Sequence, residues 1–516
     1  MKVVLCYPSM LPGQKPNYGL QPLGILHIGS MLKAHGIDIV ILDADIDGLT
    51  IDEMVSRILA ANPDLVGFSI MTPQLISALE ASAIIKEARP SLPIVLGGAQ
   101  ISSTFEETFS LSDSFDFAVY GEGELTMIDI CKKIEQGSFP DCLHDIPGVI
   151  YRNSDGEIIK NQSRQFIMDL DSLPRIDYEM VDITKYGIPT MAGRYVISMV
   201  ITRGCPFKCI FCDAPMTMGR KLRLRSKELT IDEINFNYRK YGVRNFVFKD
   251  STFTANKKWV FEFCEAVIRS GLKINWRCNA RVDTVNDELL RIMKRAGCFI
   301  INFGVESGHP KILKNLRKEV DIEKIEKAHE LTRKHGIRTY STFLVGSPGE
   351  TEETMLATIK LAKKIRPSLA MFFVAVAYPG TAMYEQAIKD GTVEPHWWAN
   401  NVWDPKHHSA FEKRWGWTSK GALHIPGFDT ESWQKRATRS FYFNPRFMWD
   451  TTIFTLKNPY FLKHLIKLGS ELIPFYKILL PWKKSLKNKD MNCFSKCPSA
   501  ATWNYEQRSD VSSNEK

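Results

Sequence analysis

The chain has 516 residues, 44% of them hydrophobic and 24% charged, with a net charge of +9. That length supports more than one hydrophobic core, and no basic stripe is concentrated enough to argue for nucleic acid. No run of eighteen uncharged apolar residues occurs and the N-terminal "MKVVLCYPSM" has no apolar leader, so a cytoplasmic chain with reduced thiols is expected.

The first 150 residues alternate strand and helix. "KVVLCYP" (Lys2–Pro8), "DIVILDAD" (Asp38–Asp45), "DLVGFSIM" (Asp64–Met71), "PIVLGGAQ" (Pro93–Gln100) and "FDFAVYGEGE" (Phe115–Glu124) read as strands, with apolar-periodic helices between them. Such alternation predicts βαβ units in a doubly wound, Rossmann-like sheet over 1–150, with ligands at the carboxyl ends of its strands. Those ends carry Ser69, Thr72, Gly97, Gly98, Gly121 and Gly123. His27 lies inside an apolar helix and reads as a core histidine.

Residues 151–190 read as a hairpin, turning at Asp155-Gly156, and an acidic linker. Over 191–390 six further strand–helix units follow, with strands "YVISMVI" (Tyr195–Ile201), "NFVFKD" (Asn245–Asp250), "INWRCNA" (Ile274–Ala280), "FIINFGVES" (Phe299–Ser307), "TYSTFLVG" (Thr339–Gly346) and "AMFFVAVAY" (Ala370–Tyr378). Six such units predict a partial (β/α)6 barrel whose chemistry sits on loops after the strands. Over 391–516 the pattern is lost and a mainly helical C-terminal cap is expected. Trp397, Trp398, Trp403, Trp415 and Trp417 crowd there with His396, His407 and His408. These aromatics and "SFYFNPRF" (Ser440–Phe447) are expected to close the open end of the barrel.

Directly after the first barrel strand comes "TRGCPFKCIFCDAP" (Thr202–Pro215), which holds Cys205, Cys209 and Cys212. Thiolates bind soft metals and iron–sulfur clusters. A structural zinc site wants four closed ligands, so zinc would need a distant fourth cysteine such as Cys278 or Cys298. Three thiols leave one iron of a cubane cluster open.

The C-x3-C-x2-C spacing, with Phe211 before the last cysteine and a strand before the first, resembles the radical S-adenosylmethionine (radical SAM) superfamily. The resemblance implies that Cys205, Cys209 and Cys212 hold a [4Fe–4S] cluster whose open iron chelates SAM, and that one electron cleaves SAM to a 5′-deoxyadenosyl radical. It also implies cofactor-binding roles for later strand ends. Asp250 would accept from the methionine amino group, with Arg281 after the third strand. Glu306 and Ser307 would meet ribose hydroxyls or the methionine carboxylate, and the turn at Pro348 would lie near adenine. "AYPGT" (Ala377–Thr381) matches the sixth strand end, whereas Ser251 departs from the acid often found there.

A doubly wound domain ahead of such a barrel resembles the cobalamin-binding branch of the superfamily. The resemblance implies that Ser69, Thr72 and the four strand-end glycines hold cobalamin. The Asp-x-His-x-x-Gly loop that ligates cobalt in other cobalamin proteins is absent, so binding without a protein histidine on cobalt is expected. The implied reaction is methylation of an unactivated carbon of an apolar or natural-product small molecule. Alternatives are a radical oxidative cyclase or rearrangement without methyl transfer and, from another class, a non-catalytic carrier or redox sensor. A flavodoxin or ferredoxin is the expected electron donor. The stretch Pro459–Lys489 is apolar at helical spacing with lysines around it. It fits an interfacial helix giving peripheral contact with the inner membrane face, or a helix packed on the barrel, which is preferred. Cys493 and Cys497 are expected to be free thiols rather than ligands of a second cluster.

Overall fold

The computed structural model describes residues 1–16, 18–188, 191, 195–399 and 421–457. The first sheet contains β1 (Lys2–Tyr7), β2 (Asp38–Asp43), β3 (Leu65–Ser69), β4 (Ile94–Gly97), β5 (Phe117–Val119), β6 (Val149–Arg152) and β7 (Ile158–Lys160). Their order is β2-β1-β3-β4-β5-β6-β7, and β1 to β5 are parallel. Helices cover both faces. Alternate residues of β1 feed opposite cores, Val4 and Cys6 into one and Val3 and Leu5 into the other. A strand buried on both faces reads as an unbroken apolar run, which is why β1 was legible. The strand order reverses between β1 and β3, and the crevice outside their carboxyl ends is the ligand position of such sheets.

The hairpin is β6–β7, with Gly156 at φ +82° in its turn. It does not stand apart as part of a linker: β6 pairs antiparallel with β5 and extends the first sheet to Lys160.

The second unit contains β8 (Ile197–Met199), a two-stranded ribbon of β9 (Thr202–Arg203) and β10 (Arg223–Leu224), then β11 (Asn245–Phe248), β12 (Asn275–Ala280), β13 (Cys298–Glu306), β14 (Arg338–Val345) and β15 (Leu369–Val374). Six strands form an open parallel sheet in the order β8-β11-β12-β13-β14-β15. Side-chain caps start the intervening helices, among them Ser226, Asn256, Asn286 and Thr351. Outside the sheet, Phe248, Phe253, Phe263 and Trp276 pack with ring centroids 5.1–6.0 Å apart.

The sheet does not close on itself. The helix Thr430–Tyr442 covers its β15 edge: Gln434 Nε2 donates to Phe372 O at 3.0 Å and the Tyr442 hydroxyl to Ala370 O at 2.8 Å. "SFYFNPRF" therefore does help close the barrel. Trp397 and Trp398 do not. Both are buried in the core they share with Val4 and Phe68 of the first sheet, and Trp397 Nε1 donates to Ala377 O at 3.0 Å. Their large apolar area is better used between the two units than over an open barrel edge. Trp403, Trp415, Trp417, His407, His408, Pro459–Lys489, Cys493 and Cys497 lie outside the described residues. Among the described residues no helix is long and apolar enough to cross a membrane.

Candidate functional site

The three-cysteine loop is clamped at its base by the ribbon, in which Arg203 pairs with Arg223 and Thr202 with Leu224. Gly204 then turns at φ +86°, and a Cβ there would stand 2.1 Å from Lys221 O, so glycine is required. The Cys205 N–H donates to Gly219 O at 3.1 Å and closes the loop. Cys205 Sγ is buried, 3.8 Å from Thr252 Oγ1. Cys209 and Cys212 line one cavity of about 180 Å³ with Lys208, Met216, Arg220 and Arg317. Burial pushes the Cys209 thiol up and the Cys212 thiol up to about 12. Among the described residues no three His, Cys, Asp or Glu side chains stand as a ready set for a metal ion. Neutral thiols gain nothing by converging; a cation's charge is what draws ligands together.

Cys278 and Cys298 are fully buried in the outer core of the second sheet, where neither can serve as a fourth zinc ligand for this loop.

The strand ends divide. Asp250 is buried after β11; its Oδ1 accepts from the backbone N–H groups of Ile201 (3.1 Å) and Thr202, while Oδ2 has no hydrogen-bond partner among the described residues. Burial pushes its pKa up to about 6 against those donors. Ser347 Oγ, beside Pro348, is likewise buried and unpaired. Arg281 turns to the cysteine loop itself. Its guanidinium lies 3.9 Å from the Phe207 ring centroid and its Nη1 3.7 Å from Cys209 Sγ, while Asp283 and the Lys318 carbonyl hold it in place. Glu306 sits at φ +66° on a β-bulge and pairs with buried Lys318 at 2.9 Å. Ser307 points elsewhere: its hydroxyl lies 3.1 Å from Thr358 Oγ1, under the helix Glu352–Ile365. Phe211 packs at the border of the core that contains Trp397.

In the first unit, Gly121 (φ +76°) has open space where a Cβ would stand, and Ser69 ends β3 half-buried. Gly97 lies beside it on β4, and Gly123 faces Ile28. Gly98 is required by its own chain, since a Cβ would meet Ile70 O at 2.5 Å. Thr72 is buried and its hydroxyl already donates to Gln100 Oε1 at 2.7 Å. His27 is buried with its pKa pushed well down by burial and by Arg203 and Arg225, as a core histidine should be.

Sequence reasoning missed an ion-pair network. Glu122 and Glu124, in the loop and helix after β5, reach across to the ribbon. Arg203 meets Glu122 at 3.0 Å and also pairs with Glu124; Arg223 meets Glu122 at 2.8 Å. All four are nearly fully buried. Burial alone would lower the Arg203 pKa, but Glu124 and Glu122 more than offset it. The "GEGE" was visible as a strand end and Arg203 as the neighbour of the cysteine loop, yet nothing in the one-dimensional pattern paired them. Lys318 carried no motif at all.

A model of the radical SAM superfamily matches residues 199–362, and a model of the B12 binding domain matches residues 13–130. The chain is 32% identical over 394 residues to an uncharacterized methyltransferase of Pyrococcus horikoshii, covering 75% of this chain and 83% of that protein. It is 30% identical over 390 residues to the anaerobic magnesium-protoporphyrin IX monomethyl ester cyclase of Rubrivivax gelatinosus, covering 75% and 70%. The fold is similar to that of TsrM from Kitasatospora setae, a radical S-adenosylmethionine methyltransferase solved with cobalamin and a [4Fe–4S] cluster. The TM-score is 0.64 at 18% identity, covering 86% of this chain and 89% of that one. The chain belongs to the radical SAM superfamily, among the members that carry a B12-binding domain.

Proposed function

We propose that this radical SAM enzyme is a cobalamin-dependent C-methyltransferase acting on an unactivated carbon of a small molecule. The observation that carries this reading is how the two strand-end faces meet. Glu122 and Glu124, after β5 of the B12-binding sheet, pair with Arg203 beside the cysteine loop of the barrel. The helix Ala99–Thr104, after β4, packs on the helix Ala214–Met218 of that loop. Ligand ends of two sheets held together suit two cofactors serving one substrate.

The residues present fit the groups. Three thiols in a loop that only Gly204 permits suit a [4Fe–4S] cluster on Cys205, Cys209 and Cys212. The unpaired buried Asp250 Oδ2 suits an ammonium, and the unpaired Ser347 Oγ suits a further polar group of SAM. Glycine at Gly121, with room where a side chain would stand, suits the approach of a broad flat ligand such as cobalamin beside Ser69 and Gly97. When bound, the cluster with SAM supplies a hydrogen-abstracting radical and cobalamin a transferable methyl group. The chain's part is to hold and shield. Arg281, fixed by Asp283, braces the loop at Cys209 and Phe207. Ile210 and Phe211 pack against the B12-side core and exclude water between the units. Lys208, Arg220 and Arg317 form a basic rim on the cavity, a match for an acidic electron donor such as a flavodoxin or ferredoxin. No cysteine among the described residues is joined in a disulfide, which fits a reducing, cytoplasmic setting.

The test is anaerobic. The protein is reconstituted with iron, sulfide and cobalamin, then given SAM, a reductant and cell extract. Methyl transfer raises both 5′-deoxyadenosine and S-adenosylhomocysteine. The second reading, a radical cyclisation, is favoured by the cyclase relative at 30% identity; it raises 5′-deoxyadenosine alone. Cys209→Ala should abolish 5′-deoxyadenosine in either case, and persistent cleavage would refute the cluster assignment.

A further inference from the structure

The sheet that carries the cysteine loop also carries a buried ion pair that the proposed function leaves without a task. Lys318 Nζ meets Glu306 Oε1 at 2.9 Å, and each side chain is only 7% exposed. Glu306 stands at φ +66° on the bulge that ends β13. The pair lies across the backbone of Gly304, where a Cβ would collide with Glu306 Oε1 and stand 2.8 Å from Lys318 Nζ, so glycine keeps that strip of the strand open. Lys318 follows the helix Pro310–Asn315, and its N–H donates to Leu313 O at 2.9 Å. Two residues in left-handed conformations bracket it, Arg317 at φ +49° and Glu319 at φ +54°. Both are exposed, while Lys318 between them is buried. The backbone accepts strain on either side to turn one lysine inward.

A buried ion pair is weak evidence for stability, because desolvation takes back most of what the attraction gives. The surroundings of this one point to another task. The Lys318 carbonyl accepts from Arg281 Nη2 at 2.7 Å, and the same guanidinium places Nη1 3.7 Å from Cys209 Sγ. The Ile210 N–H donates to Leu316 O at 3.2 Å. Lys318 Nζ itself stands 5.9 Å from the centroid of the Phe211 ring. The lysine segment thus follows the cysteine loop along Cys209, Ile210 and Phe211. Burial alone would lower the Lys318 pKa, but Glu306 and then Cys209 more than offset it, so the ammonium stays charged. Burial raises the Cys209 thiol; of the charges that oppose it, Lys318 comes first and Arg281 second, while Glu306 acts the other way. Seen from the loop, the lysine outweighs its own partner.

We infer that Lys318 is a positioning residue that acts through the cluster: its buried charge raises the reduction potential of a cluster held by the cysteine loop, and Glu306 moderates the effect. The inference rests on the proposed cluster assignment and goes beyond it. Reduction takes one electron from a donor of the flavodoxin or ferredoxin class. No proton moves and no bond of the chain breaks, so the site gains one negative charge. A fixed ammonium beside the loop favours that state, and burial keeps salt from screening it. A unit charge roughly 10 Å away, at an effective dielectric of about 20, is worth about tenfold in such an equilibrium. For a one-electron couple that is about 59 mV.

The test is a mediated redox titration of the iron-reconstituted full chain, without SAM or substrate, read by the electron paramagnetic resonance signal of the reduced cluster. Lys318→Gln should make reduction about tenfold less favourable, a midpoint lower by about 59 mV, and Lys318→Arg should stay near wild type. Glu306→Gln removes the opposing charge and should raise the midpoint. A charge effect requires these opposite signs, whereas loosened packing gives the two variants no reason to differ in sign. Iron per chain, measured on each sample, shows that the same amount of cluster is compared. Where Lys318→Gln fails to fold or to hold iron, the sign of the Glu306→Gln shift decides alone. A wild-type midpoint in Lys318→Gln, or no upward shift in Glu306→Gln, overturns the inference. Either result in a protein that still cleaves SAM leaves the proposed function standing. A wild-type chain that binds no [4Fe–4S] cluster overturns the cluster assignment and this inference with it.

Discussion

Gly204 and Asp43 show how much single residues decide. A methyl group at Gly204 would have to sit 2.1 Å from Lys221 O at φ +86°. Gly204→Ala is therefore expected to cost about 2 kcal/mol or more and to lower iron per chain after reconstitution; a variant with wild-type melting and iron content would show that the loop relaxes freely. Asp43 is buried at the end of β2, accepting from the Ile46 N–H at 3.0 Å and the Tyr186 hydroxyl at 2.9 Å. Burial dominates, and its pKa is pushed up from 3.8 to about 7. Between those values the folded chain holds a proton that the unfolded chain has released. Its contribution to stability is therefore fully present below about pH 4 and lost as pH rises through about 7, at most about 4 kcal/mol. Asp43→Asn should flatten that part of the stability–pH curve, measured by urea unfolding of the apoprotein. An unchanged slope would mean the carboxyl is not protonated in the fold.

At the scale of elements, the barrel helices are held to the sheet by an aromatic block that the strand pattern only hinted at. Trp276 on β12 is fully buried, touches Phe248, Phe253 and Phe263, and donates from Nε1 to Ala296 O at 2.8 Å. Trp276→Ala removes the ring and leaves that carbonyl unpaired, so a loss of about 3–5 kcal/mol is expected in denaturant melts. The strands themselves were legible because each feeds apolar residues into a core at period two. The hairpin was legible from Asp155-Gly156, but its partner was not, because antiparallel addition to β5 is a choice of edge that no local residue encodes. The two buried tryptophans misled for a similar reason: aromatic crowding marks an interface without naming its other side.

For the whole molecule, the buried network of Arg203, Arg223, Glu122 and Glu124 joins the two units at the cysteine loop. Removing Glu124 leaves Arg203 and Arg223 to share Glu122 alone in a dry site, with one buried positive charge uncompensated. Glu124→Gln is expected to cost about 3–5 kcal/mol, and the double variant Glu124→Met, Arg203→Met should cost less than the sum of the singles. Additive losses in such a cycle would mean the pair is not coupled. Because the network sits beside the cysteine loop proposed to hold the cluster, the single variant should also retain less iron after reconstitution than wild type.

The three-cysteine motif, the barrel, the doubly wound sheet and the family resemblance were determined by the sequence alone. Thiol spacing, glycine turns and apolar periodicity are short-range features, and each carries its chemistry within a few residues. Only the tertiary structure decided the assignments that depend on direction. Ser307 and Thr72 turn their hydroxyls to Thr358 and Gln100, Arg281 turns to the cysteine loop, and Glu122 with Glu124 locks that loop to the other unit. A side chain's direction is set by burial and charge from segments far off in sequence, and that information exists only once the chain has folded.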